Sequence, residues 1–265
     1  MDNSIRIVFI GSGNLATQLS LALSKAGHCI MQVYSRTESH AKLLADKLGC
    51  AYTSSIENVM KDADVYILSV KDDAVETIAR QLCPNIPRAT FLHTAGSVPM
   101  SVFSEVATSY GVLYPMQTFS KTRDVDFSRI PCFVEATDKV TLIKIRTIAE
   151  SITERVVEAD TEKRKKIHLA AVLASNLANH CYRLAERVLE EEGIDFNLFV
   201  PLIEETARKV SVMSPREAQT GPMVRYDTGV MERQVALLHD ERTKQIYRLM
   251  AESIHDDATS NKMQA

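Results

Sequence analysis

The sequence predicts an α/β chain: a Rossmann-type doubly wound, mostly parallel sheet over residues 1–159, then an all-α region over residues 160–265 built on one long helix. Three observations carry this. The β-branched run Ile5-Arg6-Ile7-Val8-Phe9-Ile10 enters Gly11-Ser12-Gly13-Asn14-Leu15-Ala16, the strand, glycine turn and helix start of a dinucleotide-binding unit. Short apolar runs then alternate with helical patterns to about residue 158, the rhythm of parallel strands joined by crossover helices. After Asp160 the strand signals stop and only helical periodicity remains.

In the first unit Gly11 permits a sharp turn, and Gly13 lets backbone amides approach a pyrophosphate with no Cβ in the way. Ala16 lets the helix lie close on the strand, and the positive end of that helix faces the phosphates. Leu15, Leu19, Ala22 and Ala26 recur at helical spacing, and Gly27 stands where a helix stop belongs. The cofactor contacts expected here are Gly11, Ser12, Gly13, Asn14 and Leu15.

Cys29–Tyr34 is the second strand. Chains that bind NAD usually carry Asp or Glu at its end for the ribose 2′-hydroxyl. Here stand Tyr34-Ser35-Arg36-Thr37, with the first acid at Glu38. Ser35, Arg36 and Thr37 form a cradle for a 2′-phosphate, which a guanidinium suits geometrically. The same hydroxyls also fit a helix N-cap with Arg36 in solvent, and the two uses are compatible. The missing acid favours NADP over NAD, FAD or S-adenosylmethionine.

Residues 65–70 form the continuous apolar run of a strand buried on both faces. It delivers Val70 and Lys71 toward a nicotinamide ribose, although Asp72 also fits a helix cap with Lys71 solvated. Residues 90–93 and 111–114 are further strands, and residues 132–134 and 155–158 are shorter candidates. Between these last two, Asp138 is placed to cap a helix carrying Val140, Ile143, Thr147 and Ile148. Ligands of such sheets bind beyond the carboxyl ends of the strands. There His93-Thr94-Ala95-Gly96-Ser97 offers a histidine titrating near neutrality as a proton carrier, or one with a structural role. Tyr114-Pro115-Met116-Gln117-Thr118-Phe119 offers a phenol and an amide.

Residues 161–192 read as one uninterrupted helix closed by Gly193, about 45 Å long at ~1.5 Å per residue. Its opening Lys163-Arg164-Lys165-Lys166 reads as solvated first turns. Its middle, from Ile167 to Ala178, is apolar nearly all round and predicts burial against its own domain or a second subunit. A homodimer through the C-terminal helices is the expectation. At about 100° per residue His168, Val172, Ser175, Asn179 and Arg183 share a stripe, with Asn176 at its edge. That stripe reads as the floor of a cleft. Further helices are expected near residues 196–213, 230–238 and 242–254, with frayed polar residues from Asp256. Arg225, in the turn-rich run from Thr220 to Asp227, is placed to hold a carboxylate or to pair with Asp227.

Composition narrows the function classes. A net charge of −3 gives no electrostatic ground for nucleic acid. Five scattered cysteines with no C-x-x-C pair exclude a disulfide framework or zinc site and suit a reducing cytosol. No apolar run reaches membrane-spanning length, and the first residues do not read as a secretory signal. The expectation is a cytoplasmic protein with no metal, membrane or nucleic-acid partner.

On the glycine turn, on residues 93–97 and 114–119, on His168-Leu169-Ala170-Ala171 through Ser175-Asn176, and on Thr220-Gly221-Pro222 with Arg225 and Asp227, the chain resembles a bacterial family provisionally assigned as NADP oxidoreductases. The resemblance spans nearly the whole sequence. In that family a Rossmann-like domain precedes an all-helical domain of uncharacterised function. More distantly the chain is similar to pyrroline-5-carboxylate reductase, prephenate dehydrogenase and 6-phosphogluconate dehydrogenase. The resemblance implies NADP on the N-terminal domain and substrate at the junction with dimeric C-terminal helices. It also implies hydride transfer to or from a small carbonyl, imine or alcohol.

The sequence departs from the family pattern at three places. Tyr114 stands where His often precedes Pro, and Tyr226 where Gly is usual. Val172 stands where the hydroxyacid dehydrogenase branch has a catalytic Lys, with Asn176 aligned to its Asn. The catalytic candidates are His93 or His168 for the proton, with Asn176 orienting the substrate. Ser175, Asn179, Gln117 and Arg225 are the expected substrate contacts. The departures favour an alternative, a non-catalytic NADP-binding sensor or partner-binding protein.

Overall fold

The structure, a computed structural model, describes residues 4–260. Strands β1 (Arg6–Ile10) and β4 (Val65–Leu68) pair side by side at its centre, Ile7 opposite Val65 and Ile10 opposite Leu68. Both are sandwiched between helices, which is why Ile7 to Ile10 and Val65 to Leu68 are apolar and buried throughout. Alternation along β1 sends Ile7 and Phe9 to one core, Val8 and Ile10 to the other. The remaining strands are β2 (Cys29–Tyr34), β3 (Ala51–Thr53), β5 (Thr90–His93), β6 (Ser109–Pro115), β7 (Cys132–Ala136) and β8 (Val156–Glu158).

The eight strands run in the order β3-β2-β1-β4-β5-β6-β7-β8. Every neighbouring pair is parallel except β6 and β7, where Tyr114 lies opposite Phe133. The order reverses between β1 and β4, so a crevice opens beyond the carboxyl end of β1.

Helices α1 (Asn14–Lys25), α2 (Glu38–Leu48) and a helix over residues 139–150 cover one face of the sheet, and α3 (Asp72–Leu82) covers the other. The helix over residues 139–150, α4 (Lys139–Glu150), starts as its sequence predicts, with Asp138 accepting from the amides of Val140 and Thr141 at 2.8 and 2.9 Å. Only part of the apolar set that the sequence shows lies inward. Thr141, Ile145, Ile148 and Ala149 point inward, whereas Val140 and Ile143 are 75% and 66% exposed. The phase is set by Ile145 and Ile148 joining the core of Leu113 and Val134 from β6 and β7.

The long helical pattern is interrupted. Helix α5 (Thr161–Ala171) passes into a π-helical segment, Val172–Leu177, and then α6 (Ala178–Glu191). A π turn advances each residue by less than an α turn, so a stripe drawn at a constant angle loses phase after Val172. Leu169, Leu173 and Leu177 are 61%, 57% and 51% exposed, so burial within the chain is not what this apolar run meets.

Contacts divide the chain into Met1–Asn176 and Leu177–Ala265, later than a boundary after Ala159. Within the second unit are α7 (Val200–Lys209), α8 (Pro215–Ala218), α9 (Pro222–Arg225), α10 (Thr228–Ala236) and α11 (Glu241–Thr259). Residues 256–259 are helical rather than frayed, with Arg216 donating to the Asp257 carbonyl near the helix end. The expectation of fraying over residues 261–265 falls outside the described residues.

Arg164 corrects the reading of the basic run. Lys163, Lys165 and Lys166 are exposed, but Arg164 is 0% exposed. Its Nη1 donates to the carbonyls of Ala95, Gly96 and Val98 at 3.1, 3.0 and 2.8 Å. Its Nη2 donates to Glu135 Oε2 at 2.9 Å and Thr161 Oγ1 at 3.3 Å. The guanidinium thus pins α5 to the segment after β5. Arg164→Met should lower the unfolding free energy by about 3–5 kcal/mol, because Glu135 and three carbonyls lose their partner. Urea unfolding checks this, and a loss below about 1 kcal/mol would show that the clamp does not hold the unit together.

Candidate active site

The ends of β1, β2 and β4 meet at the glycine turn. Gly11 N–H donates to the Tyr34 carbonyl and Ser69 N–H to the Ile10 carbonyl, both at 2.8 Å. Gly11 has φ +122°, and a Cβ there would overlap the Ser69 carbonyl, so the position requires glycine. Val70 packs beside it. Gly13 has an ordinary backbone, φ −71° and ψ −174°. Its value is the open space above it, since a Cβ there would meet no atom within 4 Å.

The α1 N-terminus has no side-chain cap and no acid in its first turn. The amides of Asn14, Leu15 and Ala16 are therefore left for an external acceptor. Ser35, Arg36 and Thr37 follow β2 directly. Thr37 occupies the N-cap position of α2 but makes no side-chain capping bond, so the cap does not compete with the cradle. Arg36 is exposed and has no hydrogen bond or ion pair among the described residues. An anion-seeking helix end, open space over Gly13 and an unpaired guanidinium fit the phosphates of a dinucleotide.

A second group of side chains gathers beyond β5 and β6. Tyr114 Oη and His168 Nδ1 are 3.0 Å apart, with the rings edge to face. Gly96 makes this possible, because a Cβ there would overlap the His168 ring. Arg164, one helical turn before His168, holds the Gly96 carbonyl. Burial pushes the Tyr114 phenol up; the Arg164 charge opposes this and Asp72 adds to it. The phenol is a protonated donor at neutral pH. Ser97 Oγ donates to Asp72 Oδ2 nearby. Asp72 is the first residue of α3, whose N-cap Lys71 makes no side-chain bond, so Asp72 serves Ser97 rather than capping. Lys71 is exposed at the same edge.

His93 does not titrate near neutrality. It is 0% exposed, accepts from the Ala95 amide at Nδ1 over 3.2 Å and stacks on Phe103. Burial first, and the Arg164 charge second, hold its pKa down to about 3. The Pro99 carbonyl pulls the other way but makes no hydrogen bond with Nε2. The strand end that carries His93 is itself buried, which sequence position alone did not reveal.

The other expected site residues are dispersed. Ser175 and Asn176 lie in the π segment, Ser175 Oγ 3.3 Å from Asn176 Oδ1, and Asn176 is exposed. Gln117 turns its amide oxygen to the Thr118 N–H at 2.8 Å and lines a different cavity. Asn179 and Arg225 belong to the second unit. Asp227 caps α10 through the Val230 amide at 3.2 Å, and Arg225 does not pair with it. Tyr226 takes the left-handed conformation at φ +54°, where Gly has less strain, and its ring lies tilted against His255. Arg183 is engaged by Glu186 and Glu190, both at 2.8 Å, so it forms no cleft floor.

Sequence reasoning missed Arg164 and Gly96 as site residues, and it offered the Tyr114 phenol at the ligand edge without its partner His168. Extending the His168 stripe back by four residues finds Arg164. Among the described residues no group of three or more His, Cys, Asp or Glu could hold a metal ion. Burial pushes the thiols of Cys83 and Cys132 up to about 12 and of Cys50 to about 11, so these hold their protons. No helix among the described residues is long and apolar enough to cross a membrane.

Comparison with known proteins agrees with this geometry. Residues 6–92 match the family described as NADP oxidoreductase coenzyme F420-dependent, and residues 130–254 match a domain of unknown function, DUF2520. Pyrroline-5-carboxylate reductase of Pseudomonas aeruginosa is 32% identical over 98 residues, 36% of each chain. The match thus spans about a third of that curated relative's length. A Thermotoga maritima protein of known structure is 25% identical, with 95% of this chain and 99% of that one covered and a TM-score of 0.78. A provisionally named NADP oxidoreductase from Bacteroides fragilis is 43% identical, covering 97% of this chain and 100% of that one at a TM-score of 0.93. With sequence and fold matched from end to end at that identity, the chain belongs to the same family, the NADP oxidoreductases.

Proposed function

We propose that the chain reduces a small carbonyl or imine, with NADP(H) held on the glycine turn and the proton delivered by Tyr114. The observation that carries this is the Tyr114–His168 hydrogen bond at the ligand-binding edge of the sheet. The segment shared with a pyrroline-5-carboxylate reductase, whose substrate is a cyclic imine, supports the imine class.

The amides of Asn14 to Ala16 and the Arg36 guanidinium would hold the dinucleotide phosphates. When bound, NADPH supplies the hydride. The chain's own part is to manage the proton. Donation from His168 Nδ1 to Tyr114 Oη leaves the phenol proton free for the substrate oxygen or nitrogen. The phenolate formed then takes the Nδ1 proton as the half-buried ring gains one from solvent at its other nitrogen. His93, buried and neutral, keeps the β5 end in shape instead. Ser97, polarised by Asp72, is positioned to orient the substrate, with Asn176 as a second orienting group.

We also infer a homodimer through the C-terminal helices and a cytoplasmic location. Exposed Leu169, Leu173 and Leu177 support the first. Five free thiols, three of them held protonated by burial, support the second.

Arg36→Ala should weaken NADPH binding at least about tenfold, the effect of losing one charge-assisted contact, and leave NADH unchanged. Equal losses for both cofactors in a calorimetric titration would remove the 2′-phosphate cradle. Tyr114→Phe should lower turnover of cyclic imines or ketones by about 10²–10⁴ with NADPH affinity kept. Unchanged turnover would move the proton to another group. The third expectation concerns pH. His93 titrates near 6.5 unfolded but at about 3 folded. The unfolded chain therefore binds one more proton between those values. This group's contribution to stability is complete above pH 6.5 and falls as pH drops toward 3, at up to about 1.4 kcal/mol per unit. His93→Asn should remove that slope, as measured by urea unfolding from pH 7 to 4, and an identical slope in the variant would contradict it.

A further inference from the structure

A second concavity lies at the same edge of the sheet but on the other face from Tyr114. The β6–β7 connection folds back over Phe119, Val125 and Ile130, which join the core beneath α1 and α4. Gln18 of α1 fixes this connection, its amide donating to the carbonyls of Ser120 and Arg123 at 2.7 and 3.0 Å. Between the connection and Arg155, which immediately precedes β8, is a cavity of about 550 Å³, within the range of small-molecule sites. Along β6, Leu113 faces this side, whereas Val112 and Tyr114 face the other. The cavity is therefore separate from the Tyr114–His168 pair.

Three guanidiniums from separate points of the chain, Arg123, Arg129 and Arg155, line this one cavity. None has a side-chain hydrogen bond or ion pair among the described residues. Two acids stand at the rim, Asp124 and Asp126, the latter engaged by the Ser128 amide and hydroxyl at 3.0 and 2.7 Å and within electrostatic reach of Arg129, so three guanidiniums face two carboxylates. By contrast, exposed Arg80 is paired with Glu76 and Glu105, and exposed Arg146 with Glu150 and Glu158. Unpaired cations converging on a concavity raise its potential and repel one another until an anion enters. Guanidinium forks match phosphate and carboxylate oxygens in pairs.

We propose that this cavity binds a small molecule carrying two or more negative charges, as phosphate or carboxylate groups, distinct from both dinucleotide and substrate. The site needs no part of the second unit, and its backbone is already held by Gln18.

The test is calorimetry on the full chain saturated with NADPH, titrated with pyrophosphate, inorganic phosphate or citrate against sodium chloride of matched ionic strength. Saturable binding of at least one polyanion is expected, with pyrophosphate over citrate marking a phosphate ligand and the reverse a carboxylate one. Arg129→Ala with Arg155→Ala should weaken it at least about tenfold, and Arg123→Gln alone several-fold, with NADPH affinity unchanged in both. Because all three side chains are exposed, the variants should keep the wild-type unfolding midpoint. No saturable binding by any polyanion would overturn the proposal, as would binding that survives in the double variant. Either result leaves the Arg36 reading intact, since that is measured by NADPH affinity alone.

Discussion

The buried guanidinium of Arg164 is the interaction on which the first unit depends. A charge with no solvent exposure is tolerable only when nearly every donor is satisfied, and here three carbonyls, one carboxylate and one hydroxyl surround it. Those partners come from the segment after β5, from β7 and from the start of α5. One side chain therefore fixes a loop, a strand end and a helix together. Its charge also adds to the burial that holds the His93 pKa down, and it restrains the rise of Tyr114. The residue that secures the scaffold thus also bears on the proton affinity of the two rings beside it.

The helix ends show a division of labour. The helices that begin near the bottom or flank of the sheet are closed by aspartates, Asp138 on α4 and Asp160 on α5. The helices that begin at the ligand edge, α1, α2 and α3, have no side-chain cap. An uncapped N-terminus leaves amide donors wanting an acceptor. Of these ends only that of α1 also lacks an acid in its first turn, whereas α2 carries Glu38 and α3 carries Asp72 and Asp73, so the free positive end belongs to the glycine turn.

Much of the fold was legible because it rests on local physics. The glycine turn, the β1 and β4 runs and the Asp138 cap each follow from a few adjacent residues. Gly11 is read from its spacing, and its φ of +122° bears that out. The buried face of α4 was not legible, because Val140 and Ile143 are apolar yet point away, and only the neighbouring strands decide the phase. Arg164 was misread because three lysines around it look like solvent, and nothing local announces the carbonyls it meets. The stripe on the long helix failed for a geometrical reason, the π turn at Val172–Leu177. The pairing of Tyr114 with His168 joins residues 54 apart in sequence, a contact that periodicity does not encode.

Gly96 carries a consequence beyond its own backbone. The space that its missing side chain leaves is the space occupied by the His168 imidazole. Any residue larger than glycine at 96 displaces the ring, and any smaller residue at 168 leaves a void against the β5 segment. The two positions are thus inherited as one character. In a lineage of such chains, a change at either becomes tolerable only after, or together with, a change at the other.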